Sequence, residues 1–330
     1  MLKYITKRLL YMVFVFFTMS VLIFALYNAI PGDPAMMQVS SQRDKLKPEQ
    51  FEKVYQNMRK QMGLDDPAPV RYGKWIKSVV TLQFGESIIY KKPVTDVITE
   101  PMKNTIFLNL LVTFFALGIT IPLGIYCAVK KFSKFDTVVQ VLTIIGYSLP
   151  VFIFALIIIY VFAVQLRWFP VSGMNTPNIK GSAIVLFLDR VKYMVLPTMV
   201  LTLASLGGMT RYVRAAMIDA LRMDYIRTAR AKGLRERVVI YSHAWRNALL
   251  PIITLIISWF IGIFSGSIIT ESIFALNGMG RIYLKALNGL DYNLAMGVQM
   301  FYIVVSLVGN LIIDLSYGIV CLLYTSPSPR

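Results

Sequence analysis

The residues of this chain best equipped for chemistry are cationic. From Arg211 to Arg246 there are nine Lys or Arg and three Asp or Glu, and such a stretch offers ion pairing and docking rather than bond making. Its centre reads Asp224, Tyr225, Ile226, Arg227, Thr228, Ala229, Arg230, Ala231, Lys232, Gly233, Leu234. Ala229 and Gly233 are four apart, a spacing that on a helix shares one face and lets another backbone come close. The arginines around them can pair with acidic groups on a partner. Gly233 can also end the first helix, with a second starting near Glu236. The same residues also suit a plain basic loop that is incidentally helical, and charge alone does not separate the two readings.

Catalytic chemistry is poorly represented. The only histidine, His243, has no second His or Cys near it, and Cys127 and Cys321 are the only cysteines. Neither a metal cluster nor a disulfide framework follows from them. No paired catalytic carboxylates or nucleophile triad sits at a plausible site. The sequence has no G-x-x-x-x-G-K-[ST] phosphate loop, so the chain itself is not expected to hydrolyse ATP.

The elements that must carry the basic stretch are apolar. The 330 residues are 56% hydrophobic with a mean hydropathy of +0.62, against about 45–50% apolar residues in soluble domains. Leu9–Gly32, Asn104–Val129, Thr137–Leu166, Tyr193–Thr210, Asn247–Thr270 and Tyr292–Ile313 contain no charged residue. Each approaches or exceeds the length a helix needs to cross a bilayer, about 17–25 residues. The expectation is an all-α membrane protein with six transmembrane helices. Gly181–Leu188 is apolar but too short to span, and reads as interfacial or re-entrant. Lys3, Lys7 and Arg8 resemble the start of a signal peptide, but the following run is longer than a signal's apolar core and lacks its cleavage pattern. An uncleaved first span is expected.

The net charge of +17 could suit nucleic acid, but its distribution favours a membrane instead. Lys130, Lys131 and Lys134 lie between spans two and three, and the Arg211–Arg246 cluster lies between spans four and five. Under the positive-inside rule these loops and both termini face the cytoplasm. Glu271–Asp291 balances two acids with two bases. Arg167–Lys192 is mildly basic and fits less well. Residues 33–103 form an extracytoplasmic insertion after the breaker Pro31-Gly32-Asp33-Pro34. Within it, Phe51, Val54, Tyr55, Met58 and Met62 mark one face of an amphipathic helix over Pro48–Gly63, to dock a partner, brace the outer mouth or pack on neighbouring loops. A second amphipathic piece begins at Arg71.

No span has an ionisable residue at its centre, whereas proton- and ion-coupled carriers use intramembrane carboxylates, His or Lys. The energy source is therefore expected outside the chain. Thr143, Ser148, Pro150 and Ser205 are candidates to line a translocation path. Ordinary packing of small residues is the competing reading.

Asp224–Leu234, followed by Arg246-Asn247-Ala248-Leu249-Leu250-Pro251, resembles the cytoplasmic coupling loop of binding-protein-dependent ATP-binding-cassette permeases, and most of all the B-type subunit of the dipeptide/oligopeptide/nickel branch. Pro31-Gly32-Asp33-Pro34, Gly63-Leu64-Asp65, Arg71-Tyr72, Trp75, Phe84-Gly85, Asn104-Thr105, Ser148-Leu149-Pro150, Leu196-Pro197, Glu271-Ser272-Ile273-Phe274 and Gly278-Met279-Gly280 follow the family pattern in order. The resemblance implies a type I importer permease fold, residues 1–320 as one permease domain, and residues 211–249 as its coupling loop. Implied partners are a second homologous permease subunit, two ATP-binding subunits holding ATP and magnesium, an extracytoplasmic solute-binding protein and membrane lipid, with no nucleic acid. No cofactor is implied for this chain. The implied cargo is di- or oligopeptide, with nickel, glutathione or another small solute as alternatives on the same scaffold. A stand-alone channel or secondary carrier is the rival from another class. The chain departs from the pattern in its coupling-loop spacing, at Asn293 where the family often has Pro, and at Cys321–Arg330, which read as a foreign tail.

Overall fold

The computed structural model describes residues 2–325. They are predominantly helical, with one isolated bridge between Glu86 and Pro93. Contacts divide the chain into two compact units: the chain up to Asn104 together with Asn277–Leu311, and Thr105–Leu276 together with the chain from Ile312 onward.

The first unit starts with α1 (Leu2–Ala29), which the Pro31–Pro34 breaker ends. Gly32 has φ +137° and a Cβ there would stand 2.5 Å from Leu290, so no other residue fits without displacement. Asp33 then caps α2 (Pro34–Val39), accepting from the N–H of Ala35 at 2.8 Å and of Met36 at 3.3 Å. A 3-10 turn leads to α3 (Pro48–Gln61), with Pro48 in its first turn, as the sequence predicts. Phe51 is buried and Val54, Tyr55 and Met58 are half-buried on the expected face. That face meets α2, and the Tyr55 hydroxyl donates to Asp33 at 2.6 Å. This is packing on a neighbouring segment of the insertion.

α4 (Ala68–Val80) lies on α1, where Ser20 and Tyr72 share a hydroxyl hydrogen bond of 2.8 Å. The core of this unit gathers Ile23 and Tyr27 with Val79, Val94, Ile98, Met279, Ile282, Leu294 and Val298. The last six come from α13 (Met279–Asn288), α14 (Tyr292–Thr325) and the start of α5 (Val94–Val129). Asp291 is fully buried as the cap of α14, taking hydrogen bonds from Ser87 Oγ, Ile89 N and Leu294 N. Asn293, where the family often has Pro, donates its amide to the Glu86 carbonyl at 3.0 Å.

In the second unit α6 (Lys134–Ser148) and α7 (Val151–Ile158, extended by a π-helical stretch to Gln165) cover the segment expected as the third span. They meet at a bend of 104°. Leu149, forced out of the helical region by the following Pro150, has ψ 132° and opens the chain there. α8 (Ala183–Arg222) runs 40 residues with Pro197 inside it. Ala183–Leu188 form its first turns, so most of the short apolar segment is the start of a longer helix; Asp189 holds it by accepting from Thr176 N and Oγ1, both at 2.7 Å. α6 packs closely on α8: a Cβ at Gly207 would lie 2.5 Å from the Thr143 carbonyl.

α9 (Asp224–Ala231) and the short α10 (Glu236–Val238) precede a π-helical turn, Val239–Ala244, that continues into α11 (Trp245–Gly262). The expected fifth span therefore begins earlier and stops at Gly262, after which Ser265 and Gly266 break the helix before α12 (Ile268–Ile273).

Among the described residues, four helices are long and apolar enough to cross a membrane, or five with the bent α6–α7 pair. They are α1, α5, the run Glu236–Gly262, and α14. Tyr193–Thr210, the expected fourth span, lies within α8, which is not among them. Ser326–Arg330, half of the expected foreign tail, lie outside the described residues.

Candidate partner-docking site

α8 ends at Arg222 because Met223 takes an extended conformation, φ −70° and ψ 150°, and turns the chain into α9. Two residues fasten α9 from below. Ile226 is 0% exposed and Ala229 5% exposed. Both join a core with Met217 and Ala220 of α8, and Val239, Ile240 and Ala244 of the π-helical turn. The spacing of three places them on one face of the helix.

The end of α9 is a left-handed glycine cap. Lys232 N donates to Thr228 O at 3.0 Å, Gly233 N to Arg230 O at 2.9 Å, and Leu234 N to Ala229 O at 3.3 Å. Gly233 has φ +76°, a region that suits glycine. This corrects one expectation from the sequence. Gly233 lies beyond the helix and shares no helical face with Ala229. The small side chain of Ala229 allows close approach to the chain's own core, not to a partner.

Asp224, Tyr225, Arg227, Thr228, Arg230, Ala231, Lys232, Gly233 and Leu234 are exposed. Their cations differ in freedom. Arg230 is held by Glu236 through Nη2–Oε1 at 2.6 Å and Nε–Oε2 at 3.2 Å, which braces the turn between α9 and α10. Arg227 is 80% exposed with only a 3.6 Å contact to Asp224. Among the described residues no carboxylate stands within ion-pairing distance of Lys232, Arg235 or Arg237. Tyr225, Leu234, Val238 and Tyr241 add exposed apolar surface. A rigidly seated short helix thus displays cations and apolar groups together, the composition of a protein-binding surface rather than of a catalytic pocket.

The candidate path residues do not converge so clearly. Thr143 is buried and its hydroxyl donates to Gln140 O at 2.9 Å; Ser205 Oγ donates to Thr202 O at 2.7 Å. Ser148 and Pro150 are exposed at the α6–α7 bend. Both hydroxyls are satisfied within their own helices, as packing residues are.

Sequence reasoning missed the ion pair beneath this region. Arg214 of α8 donates to Asp136 at the start of α6, Nε–Oδ1 at 2.7 Å and Nη2–Oδ2 at 2.6 Å. Asp136 is 2% exposed. The available signal was a single acid, Asp136, beside Lys130, Lys131 and Lys134.

Comparison with known proteins assigns the chain. The family described as binding-protein-dependent transport system inner membrane component matches residues 120–321, and the N-terminal domain of that component matches residues 1–109. The chain belongs to this family. It is the inner-membrane component of a binding-protein-dependent transport system, a permease subunit with the type I importer fold. The oligopeptide transport system permease protein AppB of Bacillus subtilis is 39% identical over 97% of this chain and 98% of its own length. A protein described as a peptide permease from Brucella suis biovar 1 is 34% identical, covering 97% of this chain and 98% of itself. The apolar helices fit a multi-pass member of this family, and the motifs read in order along the sequence fall within both matched segments.

Proposed function

We propose that this permease subunit moves di- or oligopeptides inward through a path completed by a second homologous permease subunit. Two partner ATPases supply the energy, and a solute-binding protein delivers the cargo. The peptide assignment is supported by the names of the relatives at 39% and 34% identity. In this reading both termini and the Asp224–Leu234 surface face the cytoplasm, and Tyr193–Thr210 of α8 makes the sixth crossing. At about 1.5 Å per residue, the 40 residues of α8 are long enough to cross the apolar layer and project beyond it.

The observation that carries the proposal is the way α9 is mounted. Its exposed face carries Arg227, with Lys232 exposed just past its end, and its opposite face is locked by Ile226 and Ala229 into the same core as α8 and α11. A partner ATPase that grips the exposed face moves those long helices with it, because a packed core transmits displacement with little compression. Binding and hydrolysis of ATP then bias two arrangements of the spans by their different contacts. This chain contributes the lever and a wall of the path. ATP hydrolysis belongs to the partners.

Uptake and ATP turnover measured together test the reading. In the assembled importer Arg227→Glu reverses one exposed charge without touching the core, and is expected to reduce peptide uptake per ATP hydrolysed while leaving the subunit in the membrane. Unchanged uptake and unchanged coupling at equal abundance contradict it. Uptake of nickel or glutathione, with none of peptide, reassigns the cargo while leaving the lever intact.

A further inference from the structure

The first unit contains a cavity of about 300 Å³, at the lower end of the roughly 300–1,000 Å³ of small-ligand sites. Segments far apart in sequence wall it: the last turns of α1 at Phe24, Tyr27 and Asn28, the turn after α3, α4, the Gln83–Gly85 turn, and the start of α14. Arg71 and Lys74 supply its positive charge. Lys74 is paired with Asp66 at 2.6 Å. Arg71 is different. It donates to the Asn28 side-chain carbonyl and its guanidinium sits 5.9 Å from the Phe24 ring centre, yet no carboxylate among the described residues reaches it. Its position is thus fixed by neutral groups while its charge is left uncompensated. On the wall formed by α14, the Tyr292 hydroxyl is buried with no hydrogen-bond partner. A buried unmade hydrogen bond is costly to leave, and Tyr292 is one of the residues lining the cavity that Arg71 also lines.

The surroundings say what kind of anion suits the site. The cavity lies beside the last turns of α1, whose run Ile5–Ala29 is long and apolar enough to cross a membrane, and the end of a spanning helix of that length falls near the lipid headgroups. Below it, Leu22 and Leu26 of α1 are exposed, and α4 presents exposed Val70 and Val80 on the helix that carries Arg71. Tyr27, Trp75 and Tyr292 are among its lining residues, and Tyr and Trp are the residues enriched at membrane–water boundaries. Guanidinium groups match phosphate oxygens through paired N–H donors. We infer that the cavity binds the phosphate of an anionic phospholipid headgroup, with Arg71 as its principal cation, the Tyr292 hydroxyl as a donor, and the acyl chains running over the exposed apolar surface of α1 and α4. The bound lipid would brace α4 against α1 at the outer boundary of the membrane.

The test is lipid retention by the full-length chain within its purified importer, followed by native mass spectrometry during titration with phosphatidylglycerol, phosphatidylcholine or glycerol 1-phosphate. The wild type should hold one phosphatidylglycerol in preference to phosphatidylcholine. Arg71→Gln should weaken that lipid about 10- to 100-fold and Tyr292→Phe about 2- to 10-fold, with retention of phosphatidylcholine unchanged. Equal retention of both lipids by the wild type, or undiminished phosphatidylglycerol in Arg71→Gln, overturns the inference. If Arg71→Gln does not fold, undiminished binding in Tyr292→Phe has the same force. Displacement of the lipid by equimolar glycerol 1-phosphate would make this a soluble-anion site and also overturns it. Because the readout is binding, failure here leaves the transport reading untouched.

Discussion

Arg214 grips Asp136 with both arms of its guanidinium, at 2.7 and 2.6 Å, and joins the C-terminal part of α8 to the first turn of α6. Asp136 is 2% exposed and Arg214 18% exposed. Asp136 also accepts from Phe132 N at 2.9 Å, and Ser133 Oγ caps the same helix by accepting from Asp136 N at 3.2 Å. One carboxylate therefore fixes the α5–α6 turn and the α6–α8 contact at once.

Removing one partner of such a pair strands the other charge in a poorly solvated place, which costs about 3–5 kcal/mol. Arg214→Met is expected to lower the thermal midpoint of the purified subunit sharply. The double variant Arg214→Met with Asp136→Leu should recover much of the loss, since no charge is then left unpaired. A double variant as unstable as the single one contradicts this account.

Asp33 gives a pH dependence with a definite sign. Its partial burial pushes the carboxyl up. The hydrogen bonds from Tyr55, Met36 N and Ala35 N and the charge of Arg59 outweigh that, and the net value falls below the ordinary 3.8. A depressed carboxyl stabilises the fold above its unfolded value and loses that contribution as pH falls through the folded value. Stability of the α2–α3 segment should therefore be flat from neutral pH down to about pH 5 and fall only below about pH 4. Tyr55→Phe removes one bond to the carboxylate, so the folded value rises toward the unfolded one and the stability lost to acid becomes smaller. Hydrogen exchange of the α3 amides across this range is the check.

Gly233→Ala asks a β-carbon to occupy φ +76°, at a cost of about 1–2 kcal/mol. A Cβ there meets nothing within 4 Å, so the effect is strain alone. Fraying of the last turn of α9, seen as faster amide exchange at Lys232 and Leu234, is expected with little change elsewhere. Exchange that remains as in the wild type would show that the cap does not hold α9.

Asn293→Pro replaces this chain's residue by the one common in its family. Position 293 lies in the first turn of α14, where a missing N–H breaks no helical bond. The loss is confined to the 3.0 Å bond from the Asn293 amide to Glu86 O, worth about 0.5–1.5 kcal/mol. A small decrease in thermal midpoint is expected, and a collapse of the fold contradicts the assignment of α14's start.

Much of the architecture was legible in the sequence because its signals are local. Charge-free runs gave α1, α5 and α14, the proline breaker at Pro31–Pro34 ended the first span, and the periodicity of Phe51, Val54, Tyr55 and Met58 gave α3. The signals that failed depend on tertiary context. Nothing near Leu149 shows that Pro150 bends the chain by 104° rather than kinking it gently. Periodicity could not say that Ala183–Leu188 begin a 40-residue helix, because charged Asp189, Arg190 and Lys192 interrupt the apolar pattern. At the candidate site the order of residues was readable and their orientation was not. Ala229 and Gly233 were paired by spacing, but the partner that takes up Ala229 is a core assembled from α5, α8 and α11, with members as distant in sequence as Ile125.

The central claim is that the exposed face of α9 is where a partner ATPase takes hold. Site-specific cross-linking from Arg227→Cys in the fully assembled importer tests it most directly, with Lys53→Cys on α3 as a control at the other end of the chain. The account predicts cross-links from position 227 to an ATPase subunit and none from position 53. Cross-links from neither position, or ATPase capture at position 53 alone, contradict it.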